Sequence, residues 1–226
     1  MSRARWAETQ LGYAFNDLPF LELALTHRSA SKANNERLEY LGDSFLNFVI
    51  AKRLFDLRPE DTEGDLSRAR AALVKEETLA AIGQRLGIDA QLTLGPGELR
   101  SGGAQRAAIL ADAVEALLGA VLLDGGAAAA EAVIDLMFAG EFASLPDAAT
   151  LKDPKTRLQE WLQGRGLPLP SYVVKSVQGR DHEQTFFIEC EVAEKNAHTT
   201  GRGQSRRRAE QDAAAAMLVV LTGERE

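Results

Sequence analysis

Residues Ala107 to Leu123 form a tract that is apolar apart from two acids, Asp112 and Glu115. Ile109, Ala113, Ala116, Leu117 and Ala120 recur at three- and four-residue steps, which predicts a helix. At a bilayer centre each acid would cost roughly 2.5–3.5 kcal/mol, so a membrane span is not expected. In an apolar protein interior the same acids must be protonated, paired or bound to a cation. The tract carries no basic residue that could pair with them. Any fold for this chain has to accommodate an apolar helix and settle two acids within it.

The remaining sequence before residue 147 fits that helix. Leu38-Leu41-Phe45-Phe48-Val49 and Leu66-Ala69-Leu73 repeat the helical step, and alternating, strand-like patterns are scarce. Gly87-Ile88 and the stretch from Gly95-Pro96-Gly97 through Ser101-Gly102-Gly103 predict breaks or loops between helices. Leu145 to Thr150 reads as a linker. With 226 residues, 45% hydrophobic and 26% charged, the chain has the balance of one large or two small globular domains. Cys190, the single cysteine, has no internal disulfide partner, and no Cys/His cluster has zinc spacing. A lone thiol and an N-terminus without a signal-like apolar stretch lead to the expectation of a soluble cytoplasmic protein.

A second acidic group lies in Asn35-Glu36-Arg37-Leu38-Glu39-Tyr40-Leu41-Gly42-Asp43-Ser44. At 100° per residue, Glu36, Glu39 and Asp43 fall within an arc of about 60° on one helix face. A solvated face explains them poorly, because no lysines are interleaved and the helix continues into Phe45-Leu46-Asn47-Phe48-Val49-Ile50. Together with Asp112 and Glu115, these acids predict a cation site. Hard oxygen donors without nearby His or Cys point to Mg²⁺ or Mn²⁺ rather than zinc.

After residue 147 the pattern changes. Asp153-Pro154 marks a helix start that runs to Gly164. Tyr172 to Val177 is rich in β-branched residues, and Phe186, Ile188, Cys190 and Val192 alternate with Phe187, Glu189 and Glu191. Ala197 to Gly201 reads as a short third strand, and Ser205 caps an alanine-rich helix to about Leu221. This α-β-β-β-α order predicts a small α+β domain. The two alanine runs read simply as helix formers. Net charge is −7, yet 14 Lys and Arg face 21 Asp and Glu in residues 1–146, while 12 face 12 in residues 147–226. Four arginines, Arg202, Arg206, Arg207 and Arg208, concentrate on one edge of the second half. Three of them open the last helix, against its dipole, which makes sense if a phosphate backbone supplies the counter-charge. Thr156, Gln159, Glu160 and Gln163 form one polar stripe on the earlier helix, and His182 lies in the turn between the first two strands.

Asn35 to Ser44 resembles the signature of the ribonuclease III family, with Tyr40 where phenylalanine is usual. The likeness continues through Leu25 to Ser29, Glu63 to Ser67, Leu94 to Glu98 and Ile109 to Leu117. The second half is similar to the double-stranded RNA-binding domain. The resemblance implies an all-α endonuclease domain over 1–147 and a double-stranded RNA-binding domain over 152–223. It implies that Glu39, Asp43, Asp112 and Glu115 surround catalytic Mg²⁺, for which Mn²⁺ can substitute, with Asp43 and Glu115 the most critical for chemistry. Glu36 and Glu63 match accessory acids. It further implies a homodimer in which Tyr40 docks into the partner, and RNA contacts from Thr156, Gln159, Glu160, Gln163, His182, Arg206, Arg207 and Arg208. The implied reaction is hydrolysis of double-stranded RNA to 5′-phosphate and 3′-hydroxyl ends with two-nucleotide 3′ overhangs. Precursors of ribosomal, messenger and transfer RNA are the implied substrates. His27 also matches a family histidine, but reads better as a packing residue. Two other readings of the chain are a duplex-binding regulator that does not cleave and a helical Mg²⁺ phosphohydrolase acting on nucleotides. The second leaves the C-terminal half unexplained.

Overall fold

The computed structural model describes residues 1–146, 150, 152–180 and 183–223. It divides into two compact units, Met1–Ala148 and Ala149–Glu226.

The first unit is helical throughout: α1 (Arg3–Leu11), α2 (Leu18–Ala24), α3 (Glu36–Leu57), α4 (Glu63–Val74), α5 (Glu76–Arg85), α6 (Pro96–Arg100), α7 (Ala107–Met137) and α8 (Ala139–Ala143). The apolar tract forms the first half of α7, where Leu110, Val114, Leu117, Leu118 and Val121 are fully buried. Helix α3 presents Leu38, Leu46, Val49, Ile50 and Leu54 to the same core. These two helices touch through their backbones. A Cβ at Gly42 would lie 1.8 Å from the Glu115 carbonyl oxygen, and one at Gly119 would lie 2.2 Å from that of Leu38. Only glycine permits such an approach at both positions.

Beyond Leu123 the long helix bends at Gly126, whose φ of 79° and ψ of 178° are not helical. Just before the bend, Asp124 accepts hydrogen bonds from the Tyr13 hydroxyl at 2.7 Å and from the backbone N–H groups of Asn16 and Asp17 at 2.8 Å each. Burial pushes the Asp124 carboxyl up, but these donors outweigh it and hold the group below its ordinary value. The stretch read as a loop from Gly95 to Gly103 contains the short helix α6, because Pro96 at its first position suits a helix start. No helix among the described residues is long and apolar enough to cross a membrane.

In the second unit, α9 (Pro154–Gln163) is followed by β1 (Ser171–Gln178), β2 (Thr185–Val192), β3 (Ala197–Gly203) and α10 (Arg206–Thr222). The strands form one antiparallel sheet in the order β1-β2-β3. Asp153 caps α9 by accepting the Thr156 N–H at 3.2 Å, and Ser205 caps α10 by accepting that of Arg208, also at 3.2 Å. Leu158 and Leu162 of α9 meet Cys190 and Val192 of β2 and Ala213, Ala214 and Met217 of α10 in one core. The alanines do more than favour a helix. A Cβ at Gly201 would lie 2.1 Å from the Ala213 nitrogen, so small residues on both sides let β3 and α10 pack closely. Cys190 is a buried free thiol. The proposed boundary at 147 and half of the expected linker, residues 147–149, fall outside the described residues.

The glycine crossing yields a test. Gly42→Ala and Gly119→Ala should each destabilise the chain by about 3 kcal/mol, the upper end of ordinary overpacking, measured as a lower urea midpoint. Gly140→Ala adds a methyl where nothing lies within 4 Å and should stay within about 1 kcal/mol of wild type. An unchanged midpoint for Gly42→Ala would refute backbone contact between the helices.

Candidate functional site

The crossing of α3 and α7 assembles the acids. Gly42 precedes Asp43 and lies one turn from Glu39, and it receives the carbonyl of Glu115. Among the described residues, Glu39, Asp112 and Glu115 form the one group of three or more His, Cys, Asp or Glu side chains suited to a shared cation. Their oxygens lie within 4.8 Å of one another. All three are half-buried.

This proximity is electrostatically costly without a cation. Glu115 is pushed up to about 8, first by burial and then by the charges of Asp43, Asp112 and Glu39. Burial also raises Glu39, with further upward pressure from Asp112, Glu36 and Asp43 against a partial offset from Arg28. Asp112 is raised by burial and by Glu76, and His27 and Arg28 soften the shift. Helix α7 carries no basic residue that could pair with these acids. The partial offset comes instead from the segment after α2, where Arg28 lies.

Asp43 is exposed, and its carboxylate accepts from Asn47 Nδ2 at 2.7 Å. It stands outside the group of three, yet acts on Glu115 through its charge. Glu36 is exposed and pairs with Arg28 at 3.5 Å. Glu63 begins α4, where it accepts from the Ser67 hydroxyl at 2.9 Å, and it is not part of the acid group. Tyr40 projects from α3 with 77% of its surface exposed.

In the second unit, Gln159, Glu160 and Gln163 are exposed along α9. Thr156 is half-buried and donates its hydroxyl to Asp153 at 2.9 Å, so part of the expected stripe is committed to helix capping. Glu160 is paired with Lys152 at 2.8 Å. Arg206, Arg207 and Arg208 are all exposed at the start of α10. Arg206 Nε donates to Glu210 at 3.0 Å, and Glu210 also receives Lys155 at 2.6 Å. His182 lies outside the described residues.

Residues 17–141 match the family profile described as Ribonuclease-III-like, and residues 154–221 match the double-stranded RNA binding motif. The chain is 55% identical over 214 residues to a protein named Ribonuclease 3 from Pseudomonas fluorescens strain Pf0-1, covering 95% of this chain and 93% of that one. It is 51% identical to Ribonuclease 3 of Vibrio vulnificus strain YJ016, covering 94% and 95% of the two chains. The nuclease domain of ribonuclease III from Campylobacter jejuni, solved at 2.2 Å, is similar at a TM-score of 0.59 with 39% identity. That match covers 62% of this chain and 97% of that domain. A second Campylobacter jejuni structure of this domain, described for flexibility in the region involved in dimer formation, gives a TM-score of 0.58 at 40% identity. It covers 59% of this chain and 95% of that one.

The raised Glu115 carboxyl predicts a pH dependence for the cation-free chain. Between its ordinary value of 4.5 and about 8, the folded chain retains a proton that the unfolded chain has lost. Stability therefore falls as pH rises through that window. Glu115→Gln removes this dependence and, after allowance for solvent screening, should stabilise the chain by about 1–2 kcal/mol at pH 8 in EDTA. At pH 4 the two proteins should unfold at nearly the same urea concentration. Parallel stability curves across the window would contradict the shifted carboxyl.

Proposed function

Because the chain belongs to the ribonuclease III family, we propose that Glu39, Asp43, Asp112 and Glu115 are its catalytic acids and that Mg²⁺ is the cation they hold, with Mn²⁺ able to substitute. The chain is an endoribonuclease that acts on double-stranded RNA. One observation carries the site assignment: two helices in backbone contact bring three carboxylates within 4.8 Å, where burial raises all three and the charge of Asp112 adds to the rise at Glu39 and Glu115.

The donor set fits a hard divalent cation, being all carboxylate oxygen. When bound, Mg²⁺ supplies charge neutralisation at the scissile phosphate and an activated water. Glu115 would hold the cation as a carboxylate, its charged form then being paired. Asp43, held by Asn47 at the exposed edge of the cluster, adds negative charge that acts on Glu115 and would help attract the cation. Glu36 and Glu63 take accessory roles. The proposed products are 5′-phosphate and 3′-hydroxyl ends with two-nucleotide 3′ overhangs, from precursors of ribosomal, messenger and transfer RNA. The reading implies a cytoplasmic enzyme.

We further propose a homodimer. Tyr40, Phe48 and Phe55 fall within an arc of about 80° on α3 and are 77%, 59% and 71% exposed. Beside Tyr40 lies a cavity of about 910 Å³ lined by Phe20, Leu23, Leu41 and Leu123. A second copy would cover this aromatic face, and Tyr40 would enter the partner's cavity. Such a cavity tolerates the extra hydroxyl better if Lys32 or Asn34, which also line it, supplies a hydrogen bond.

Duplex binding is proposed for Thr156, Gln159, Glu160, Gln163, His182, Arg206, Arg207 and Arg208. Exposure of the three arginines at the α10 N-terminus supports their part. Domains of this type span about 16 bp and contact two minor grooves and the phosphates between them.

Incubating the protein with an RNA duplex of about 30 bp, longer than one such footprint, should give cleavage in Mg²⁺ and none in EDTA. Glu115→Gln should bind the duplex with near-wild-type affinity but cleave it at least about 100-fold more slowly. Binding without cleavage by the wild type would favour a regulator that only holds duplexes.

Replacing Arg206 and Arg207 with alanine should weaken binding similarly for unrelated duplex sequences, since phosphate contacts carry no sequence information. The plot of log affinity against log salt should flatten by roughly one to two units. Turnover at saturating RNA should remain near wild type. Retention of both affinity and salt slope would remove these arginines from the RNA face.

A further inference from the structure

Beside the carboxylates, a cavity of about 520 Å³ is lined by His27, Arg28 and Ser29 as well as by Glu39 and Asp112. The catalytic assignment does not use the first three residues. Their segment is nevertheless firmly held. The His27 N–H donates to the Thr93 carbonyl at 3.0 Å, and the Thr93 N–H donates to that of Leu25 at 2.8 Å. Gly95 donates its N–H to the Ser29 hydroxyl at 2.9 Å, and a Cβ at Gly95 would lie 2.2 Å from the Ser29 carbonyl oxygen. Two segments far apart in sequence are thus locked together at the edge of the acidic site.

This locking fixes the histidine tautomer. The Ser29 backbone N–H can only donate, and it points at His27 Nδ1 at 3.2 Å. Nδ1 therefore accepts, and the Ser29 hydroxyl donates to the same atom at 2.8 Å. The ring proton then sits on Nε2, making that nitrogen an N–H donor on a residue that lines the cavity. Arg28 stands next to it with a side chain that is 70% exposed. Its pairing with Glu36 is long, at 3.5 Å, and joins two exposed groups, so it restrains the guanidinium little. Arg106, which lines the same cavity, differs in being paired with Glu98 at 2.9 Å and bonded to Ser101 at 3.0 Å.

An acidic site acting on a polyanion needs donors that hold the phosphates adjoining the reacting one. We propose that His27 and Arg28 form a phosphate subsite, in which Nε2–H and the guanidinium grip an RNA backbone phosphate neighbouring the bond that is cut. The inference rests on the nuclease reading and deepens it. Guanidinium presents a planar fork that matches phosphate oxygens, and the tautomer set by Ser29 gives His27 a donor rather than an acceptor at Nε2. The unit around them carries 14 Lys and Arg against 21 Asp and Glu up to residue 146, so basic groups are outnumbered there and the placement of one beside the acids matters.

The test uses the full chain and an RNA duplex of about 30 bp, with or without neutral methylphosphonate linkages flanking the cleaved bond. Arg28→Ala should raise KM about five- to ten-fold near 0.15 M salt, keep kcat within about two-fold, and lower the salt slope of log KM by about one unit. Wild type should lose a similar factor on the methylphosphonate duplex, whereas Arg28→Ala should lose little more, because one contact cannot be lost twice. His27→Gln retains an N–H near the Nε2 position and should stay closer to wild type in KM than His27→Asn, which reaches only as far as Nδ1. Equal KM losses for the two, with a lowered urea midpoint, would make His27 a packing residue and remove it from the subsite. Wild-type KM and salt slope in Arg28→Ala, alongside a wild type that cuts the duplex, would overturn the subsite alone. A wild type that leaves the duplex uncut in Mg²⁺ would overturn the nuclease reading itself.

Discussion

Backbone contact between α3 and α7 is the constraint on which the first unit depends. With any side chain at Gly42 or Gly119 the helices would be forced apart, since a Cβ would fall 1.8 Å or 2.2 Å from a carbonyl oxygen of the opposing helix. The same contact brings the acids together. Glu39 and Asp43 flank one glycine, and Glu115 supplies the carbonyl that fills the space above it. Core packing and acid placement are therefore one arrangement. Side-chain packing of Leu46, Ile50, Leu117 and Val121 stabilises the crossing from beyond the acids, at roughly 1.5–3 kcal/mol for each large apolar side chain fully buried.

That stabilisation is what lets the site hold its charges so close. Carboxylates within 4.8 Å would separate on a flexible loop, but on two packed helices they cannot. The strain appears as raised proton affinity, most strongly at Glu115, and a divalent cation relieves it more completely than protons do because it satisfies several oxygens at once. A rigid, cation-hungry cluster is suited to a reaction in which negative charge builds on phosphate.

Much of this was legible in the sequence, for reasons of period. The acids of α3 and α7 sit at helical spacings within one segment each, so their shared faces follow from 100° per residue. The change to alternating residues at Phe186 to Val192 announced the second unit, and burial of Ile188, Cys190 and Val192 agrees with it. What escaped was non-local. Nothing in the residues near Gly42 says that it meets Glu115, and nothing near His27 says that Thr93 and Gly95 are bonded to its segment. Ala213 looked like a mere helix former because the glycine it faces, Gly201, is in a strand a dozen residues away. Thr156 shared a polar face by spacing, but the Asp153 cap commits its hydroxyl, a competition that periodicity does not register.

The division of charge between the two units follows from the same physics. A unit with 21 acids and 14 bases repels duplex RNA at a distance, and the cluster of Glu39, Asp112 and Glu115 makes that repulsion strongest beside itself. Few basic groups in that unit can offset it, so the second unit matters for affinity. The second unit is neutral in total, with 12 of each sign in residues 147–226, yet it concentrates Arg206, Arg207 and Arg208 at the dipole-positive end of α10. Glu210, buried enough to feel burial but held below its ordinary value by Lys155 and Arg206, stays ionised and anchors one arginine of the three. Arg207 and Arg208 sit exposed beside it, and a bound phosphate would relieve their repulsion with the helix dipole. On the proposed reading, binding energy gathered there would offset repulsion at the acidic cluster without adding a base to it.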